Sequence, residues 1–400
     1  MRTRRNAHSG TEPRRRGLRR PGGRGLAGLL GTLIICLLLS GCGAGGSPSA
    51  GLARVPASNR AVDPGSSLGG RPAPDFSLLD QFGRPVSLSQ FRGKAVIVAF
   101  VDSRCTTVCP LTTVSMVEAL HLLGPAARHV QLLGIDANPV ATRVADVRAY
   151  SVAHDMMHSW LFLTGPLDKL KRVWKDYGVF VQAAAGNIDH EPAIFLIRPD
   201  GREQTLFLTQ MSYAAVSQQA QVLADATAAV LPKHPAARHS VSLAARHGIP
   251  PTAPVTLSAV GGGQAGHGTV QLGRGHAHLV VFFASWLDET SDVTAQLSAL
   301  NRYQAVAARR GWPSVVAIDA ATTEPNPGAL PRTLAQVRGG LHYPVVLDRT
   351  GTLADGYGAQ QVPWITLVSA TGRELFTSSG WFSSAARLEQ AVARALGQRG

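Results

Sequence analysis

Short, wholly apolar runs separated by amphipathic stretches organise this chain. Ala95-Val-Ile-Val-Ala-Phe100 has the length and composition of a strand buried on both faces. His129–Ile135 and Ala193–Ile197 read the same way. Between and after them, Leu111 to about Leu123, Val144–His154, Leu167–Tyr177 and Ala214–Leu231 carry apolar residues at helical spacing. Pro199-Asp-Gly201 predicts a tight turn into a short strand near Thr205–Leu208. Strands alternating with helices predict an α/β layer fold.

The pattern then repeats. Leu279-Val-Val-Phe-Phe283 matches the first central strand. Glu191-Pro192-Ala-Ile-Phe-Leu-Ile-Arg-Pro-Asp-Gly201-Arg-Glu lies against Val362-Pro363-Trp-Ile-Thr-Leu-Val-Ser-Ala-Thr-Gly372-Arg-Glu. The spacing from Pro to Gly is the same in both, and Gly-Arg-Glu ends both, so two copies of one fold are expected in tandem. The expected domains are 71–232 and 254–400, joined by a polar, Pro-containing linker over 233–253.

The N-terminus changes the reading of charge. The formal balance of the whole chain is +14. Residues 1–41 hold nine arginines and one acid, Glu12, and an apolar run from about Leu26 to Leu39. That run is short for a membrane span, which needs ~20 residues. The order of basic, apolar and small residues, closing in Leu39-Ser-Gly-Cys42, predicts an export signal. It resembles a bacterial lipobox, which implies cleavage before Cys42, lipidation of that thiol, and an extracytoplasmic protein anchored to the cell membrane. Residues 42–70, rich in Gly, Ser, Ala and Pro, are expected to form a flexible tether. Beyond the signal, 30 Lys and Arg face 24 Asp and Glu, a balance of only +6. The high pI therefore belongs mostly to the signal, and no nucleic-acid partner is expected.

Four cysteines exist, and Cys36 falls with Cys42 in the export segment. The body keeps Cys105 and Cys109, in C-T-T-V-C-P. A disulfide closing so short a loop stabilises little, so the pair reads as a metal or redox site. It follows a strand and opens a helix, where backbone N–H groups favour thiolate. Pro110 is expected at the first helical position.

A strand, two cysteines opening a helix, and a proline before a later strand resemble the thioredoxin superfamily. The first domain resembles its Sco/SenC branch through several motifs. These are Pro74-Asp-Phe76, Gln81-Phe-Gly83, Cys105-Thr-Thr-Val-Cys109-Pro110, Gly134-Ile-Asp136, Tyr177-Gly-Val179 and Asp189-His190. The resemblance implies two tandem thioredoxin-like domains, each a central mixed sheet flanked by helices. It also implies a copper ion held by Cys105, Cys109 and His190. The implied role is a metallochaperone that delivers copper to the dinuclear copper A centre of cytochrome c oxidase, or to another copper or thiol client. The donor set agrees: Cu(I) is soft and favours thiolate, while imidazole suits both copper states.

The same pair would also serve a thiol–disulfide oxidoreductase that keeps partner cysteines reduced, without needing His190. A peroxidase is disfavoured, because Asp102 stands where a Thr is wanted and its charge would raise the thiol pKa. The cluster His154, Met156, Met157 and His158 is read as core filling and a helix end rather than as ligands. His267, His276 and His278 are read as a surface cluster. In the second domain Phe283-Ala-Ser-Trp286 resembles the approach to a dithiol, but Leu287-Asp-Glu-Thr290 stands where the thiols would be. That copy is expected to be degenerate, serving either packing or docking. Val362-Pro363 resembles a cis-proline strand start.

Overall fold

Seven consecutive buried residues, Ala95–Val101, form the centre of the first sheet. They run parallel to Val130–Asp136 and antiparallel to Ala193–Ile197. The full order is Ser66–Ser67, Glu203–Leu208, Ala193–Ile197, Ala95–Val101, Val130–Asp136, Leu161–Leu163. The computed structural model describes residues 62–397 except 185–186, 240, 245, 262–267 and 290–291. The expected export segment, with Cys36 and Cys42, and His267 lie outside the described residues. Among the described residues no helix is long and apolar enough to cross a membrane.

The second sheet repeats the inner four strands. His278–Phe283 runs parallel to Ser314–Asp319 and antiparallel to Trp364–Val368, which pairs with Glu374–Ser378. Thr269–Leu272, Val255–Gly261 and Val345–Leu347 extend it. The two turns that suggested the repeat are built alike. Gly201 and Gly372 take φ of +79° and +78°, a region that favours glycine. Arg198 N–H donates to Arg202 O at 2.8 Å, and Ser369 N–H to Arg373 O at 2.9 Å. The fold is α/β with two thioredoxin-like units, and the Val362–Pro363 bond is cis.

Several details depart from the sequence reading. The helix expected from Leu111 starts at Val108 and ends at Leu123. Pro110 is therefore its third residue, not its first. It is tolerated because the first four N–H groups of a helix have no intrahelical acceptor. The tether expected to run to residue 70 is fixed to the sheet earlier. The Asp63 carboxylate accepts Leu208 N–H at 2.8 Å, and Ser66–Ser67 pair with Thr205 and Leu206. His190, expected in a plain connecting segment, ends a hairpin of Val181–Ala184 and Asn187–His190.

The described residues fall in one compact unit. The core of the second sheet takes in Leu111 from the cysteine helix, and Tyr213 and Val216 from the start of the helix that closes the first domain. The Asp355 carboxylate accepts Ser212 Oγ at 2.7 Å, Tyr213 N–H at 2.8 Å and Ala214 N–H at 3.0 Å. The linker is strapped to both halves: Arg238 N–H bonds Leu122 O, and Ile249 N–H bonds Thr352 O.

Candidate metal centre

The cysteine loop is shaped by its own backbone. Asp102 begins it, accepting Arg104 N–H at 2.8 Å through its side chain and Cys105 N–H at 3.1 Å through its carbonyl. Asn138 Nδ2 holds the same carboxylate at 2.6 Å. Cys105 thereby stands just before the helix, with its sulfur over the first turn. Thr107 N–H at 3.4 Å and Cys109 N–H at 3.5 Å donate to Cys105 Sγ, and Thr107 Oγ1 lies 3.1 Å away. Thr107, the residue before the helix, makes no side-chain cap of its own. The sulfur of Cys105 takes the place of that cap.

The two thiols differ. Both are free; Cys105 is half-buried and Cys109 is buried. Its hydrogen bond with Cys109 lowers the Cys105 pKa against burial and the Asp102 charge, and Thr107 adds to the lowering. Burial pushes the Cys109 thiol well up, and its hydrogen bond with Cys105 pushes it further. One thiol is thus shifted toward the deprotonated form while its buried neighbour is shifted away from it.

The hairpin brings the third residue. His190 Nε2 lies 3.6 Å from Cys109 Sγ. His190 Nδ1 lies 3.1 Å from Glu191 O. A carbonyl can only accept, so Nδ1 donates and Nε2 presents its lone pair toward the thiol. Burial lowers the His190 pKa and keeps the ring neutral. Cys105, Cys109 and His190 are therefore brought together as a chain of contacts. They are not closed round one point: among the described residues no three His, Cys, Asp or Glu side chains meet as a metal cage. Two thiols and a neutral imidazole are nonetheless the donors that copper favours. Asp189 is exposed beside them.

Other candidates separate clearly. Met156 is buried in the core of the first domain, and His158 is exposed. His276 and His278 stack at 6.1 Å, and His278 bonds Gln271 O. His154, set aside with Met156, is not simply a helix end. It is buried between Tyr150 and Trp286 of the second domain, with ring centroids 4.2 and 4.6 Å away, and its Nδ1 has no partner. Burial lowers it to about 3. In the second domain Leu287, where the first thiol would stand, is buried, and Ser285 bonds Glu324 through N–H and hydroxyl. The packing of Trp286 on His154 across the two domains has no sequence signal, because neither residue marks the other in the chain.

Residues 66–225 match the family described as SCO1/SenC. The mitochondrial protein SCO2 homolog of Bos taurus is 32% identical over 153 residues, 36% of this chain and 55% of its own length. A putative copper-binding protein of Stutzerimonas stutzeri is 28% identical over 137 residues, 33% of this chain and 66% of its own. Apo Sco1 from Thermus thermophilus, solved in solution, is 30% identical, covering 42% of this chain and 96% of that one, with a TM-score of 0.35. The chain spans between 48% and 64% of the length of the SCO2 relatives it matches.

Proposed function

Through residues 66–225 this chain belongs to the SCO1/SenC family, and from that premise we propose that it is an extracytoplasmic copper metallochaperone. Copper is its cargo, and its client is the copper A subunit of cytochrome c oxidase. Cys105, Cys109 and His190 are the proposed ligands, and Cys42 the proposed lipid anchor. The observation that carries the reading is the 3.6 Å approach of His190 Nε2 to Cys109 Sγ, beside a second thiol whose pKa is lowered and whose sulfur accepts Cys109 N–H. A disulfide relay can run on the two thiols alone, whereas a copper ion gains a third donor from that imidazole.

Each side chain has a separable task. Cys105, the more exposed thiol and the one with the lowered pKa, offers the first sulfur to arriving cargo. Cys109 gives up its proton as the second ligand, and His190, kept neutral by burial and by the Glu191 carbonyl, needs to lose none. The half-buried position of Cys105 leaves one side from which a client ligand can replace these donors. The test is an anaerobic copper titration of the reduced protein beside Cys105→Ser/Cys109→Ser. One tightly held copper per chain, lost in the double variant, supports the proposal; equal weak binding by both overturns it.

One observation favours a second reading. The pair is asymmetric, with one thiol lowered and its neighbour raised. That suits thiol–disulfide exchange, in which Cys105 attacks a partner disulfide and Cys109 resolves the mixed disulfide. The partner leaves with two thiols, and the pair is left oxidised. Reduction of a client by a chain that holds no copper would favour this role.

A further inference from the structure

The second domain meets the first at the cysteine loop. Val362 N–H, just ahead of the strand Trp364–Val368, donates to Thr106 O at 3.3 Å. Thr106 is the residue after Cys105. The only backbone link described between that loop and the second domain therefore falls next to the half-buried thiol. Close by, Trp286 packs on His154 and fixes its own indole N–H on Thr323 Oγ1 at 3.2 Å. A cavity of about 370 Å³ lies at this junction, and Cys105, Arg104, Asp146, Tyr150, His154 and Trp286 line it. Five of these six belong to the first domain; the sixth wall is Trp286. Arg104 and Asp146 are paired at 3.2 Å along one side. The volume is at the low end for a small-molecule site, which spans ~300–1,000 Å³.

The docking is firm. Gly351 comes so near the first domain that a Cβ there would lie 2.2 Å from the Tyr213 carbonyl carbon. Asp355 closes the same contact with its three hydrogen bonds. A fold copy that has lost both thiols thus keeps its old reactive end turned toward the surviving pair, with Leu287 buried where the first sulfur would stand.

We propose that the second domain is a fixed selectivity wall for the thiol site. Val362 positions the loop through Thr106, and Trp286 narrows the approach to Cys105 so that a single side chain or small molecule passes and a bulky group does not. Trp286 is then a specificity-determining residue and Val362 a positioning residue. The inference rests on the proposed function only in taking Cys105 as the working thiol.

The experiment uses the full chain, reduced and free of copper. Cys105 is alkylated with iodoacetamide and, separately, with a polymer-linked maleimide, and its modification is read by peptide mass. Wild type should react readily with the small reagent and slowly with the large one. Trp286→Ala should speed the large reagent by about tenfold and change the small one little, while Trp286→Phe, which keeps a ring, should stay near wild type. Equal acceleration of both reagents, or none, overturns the proposal. If Trp286→Ala does not fold, Trp286→Leu is read on the same scale, because it keeps apolar volume without the ring. Copper plays no part in the readout. A chain that binds no copper can still show the size filter, and a chain that binds copper can still lack it.

Discussion

Cys109 Sγ and His190 Nε2 are 81 residues apart in the chain and 3.6 Å apart in space. The hairpin Val181–Ala184 and Asn187–His190 makes that meeting possible, and the Glu191 carbonyl chooses which ring nitrogen faces the sulfur. His190→Ala should weaken copper binding by tenfold or more, about 1.4 kcal/mol, and change any Cu(II) absorption band. Competition with a chelator of known affinity would measure it. Unchanged affinity and spectrum would remove His190 from the site.

Leu111 sits on the cysteine helix but in the core of the second sheet. Leu111→Ala should therefore destabilise the whole chain, by ~2–5 kcal/mol for a fully buried leucine. Urea unfolding followed by fluorescence should show one transition moved to lower denaturant. A loss confined to the first domain, seen as two separated transitions, would contradict the shared core.

His154 makes stability depend on acid. Burial holds it at about 3 against an ordinary value of 6.5. The unfolded chain then binds the extra proton between those values. Stability is full above pH 6.5 and falls as pH drops through the window, by up to ~1.4 kcal/mol per unit. At pH 5 wild type should have lost ~2 kcal/mol more than His154→Gln, relative to pH 7. Parallel losses in the two proteins would mean that His154 is not held neutral. Buried carboxyls such as Asp348, pushed up to about 6 by burial, act in the opposite direction, so the comparison with the variant matters more than the absolute slope.

Asp355 reaches across to the start of the last helix of the first domain. Asp355→Ala leaves Tyr213 N–H and Ala214 N–H without their acceptor, at ~1–3 kcal/mol for a buried donor left unpaired. Thermal unfolding should report the loss, and Asp355→Asn, which keeps one acceptor oxygen, should recover part of it. Identical melting of Asp355→Ala and wild type would show that water serves those donors equally well.

Much of this was legible in the sequence, and the reasons differ from residue to residue. The strands Ala95–Val101 and Ala193–Ile197 are runs too apolar to stand anywhere but at the centre of a sheet. The repeat showed through because Gly201 and Gly372 both serve a turn that needs positive φ. Cys105 and Cys109 stood out by spacing alone. His190 needed the family, since nothing local distinguishes it. The hairpin that carries it lacked an apolar run, and Ser66–Ser67 lacked any signal, because both are ordered by partners far along the chain. The contact of Val362 with Thr106 was beyond reach for a stronger reason. A backbone amide has no sequence signature, and its acceptor is set by how two domains pack.

The three bonds of Asp355 also bear on how this chain can be divided. An excised first domain would begin its closing helix with bare donors and would open Leu111, Tyr213 and Val216 to water. The two copies are thus sewn together at their seam: parting them would uncover these donors and these apolar side chains at one stroke.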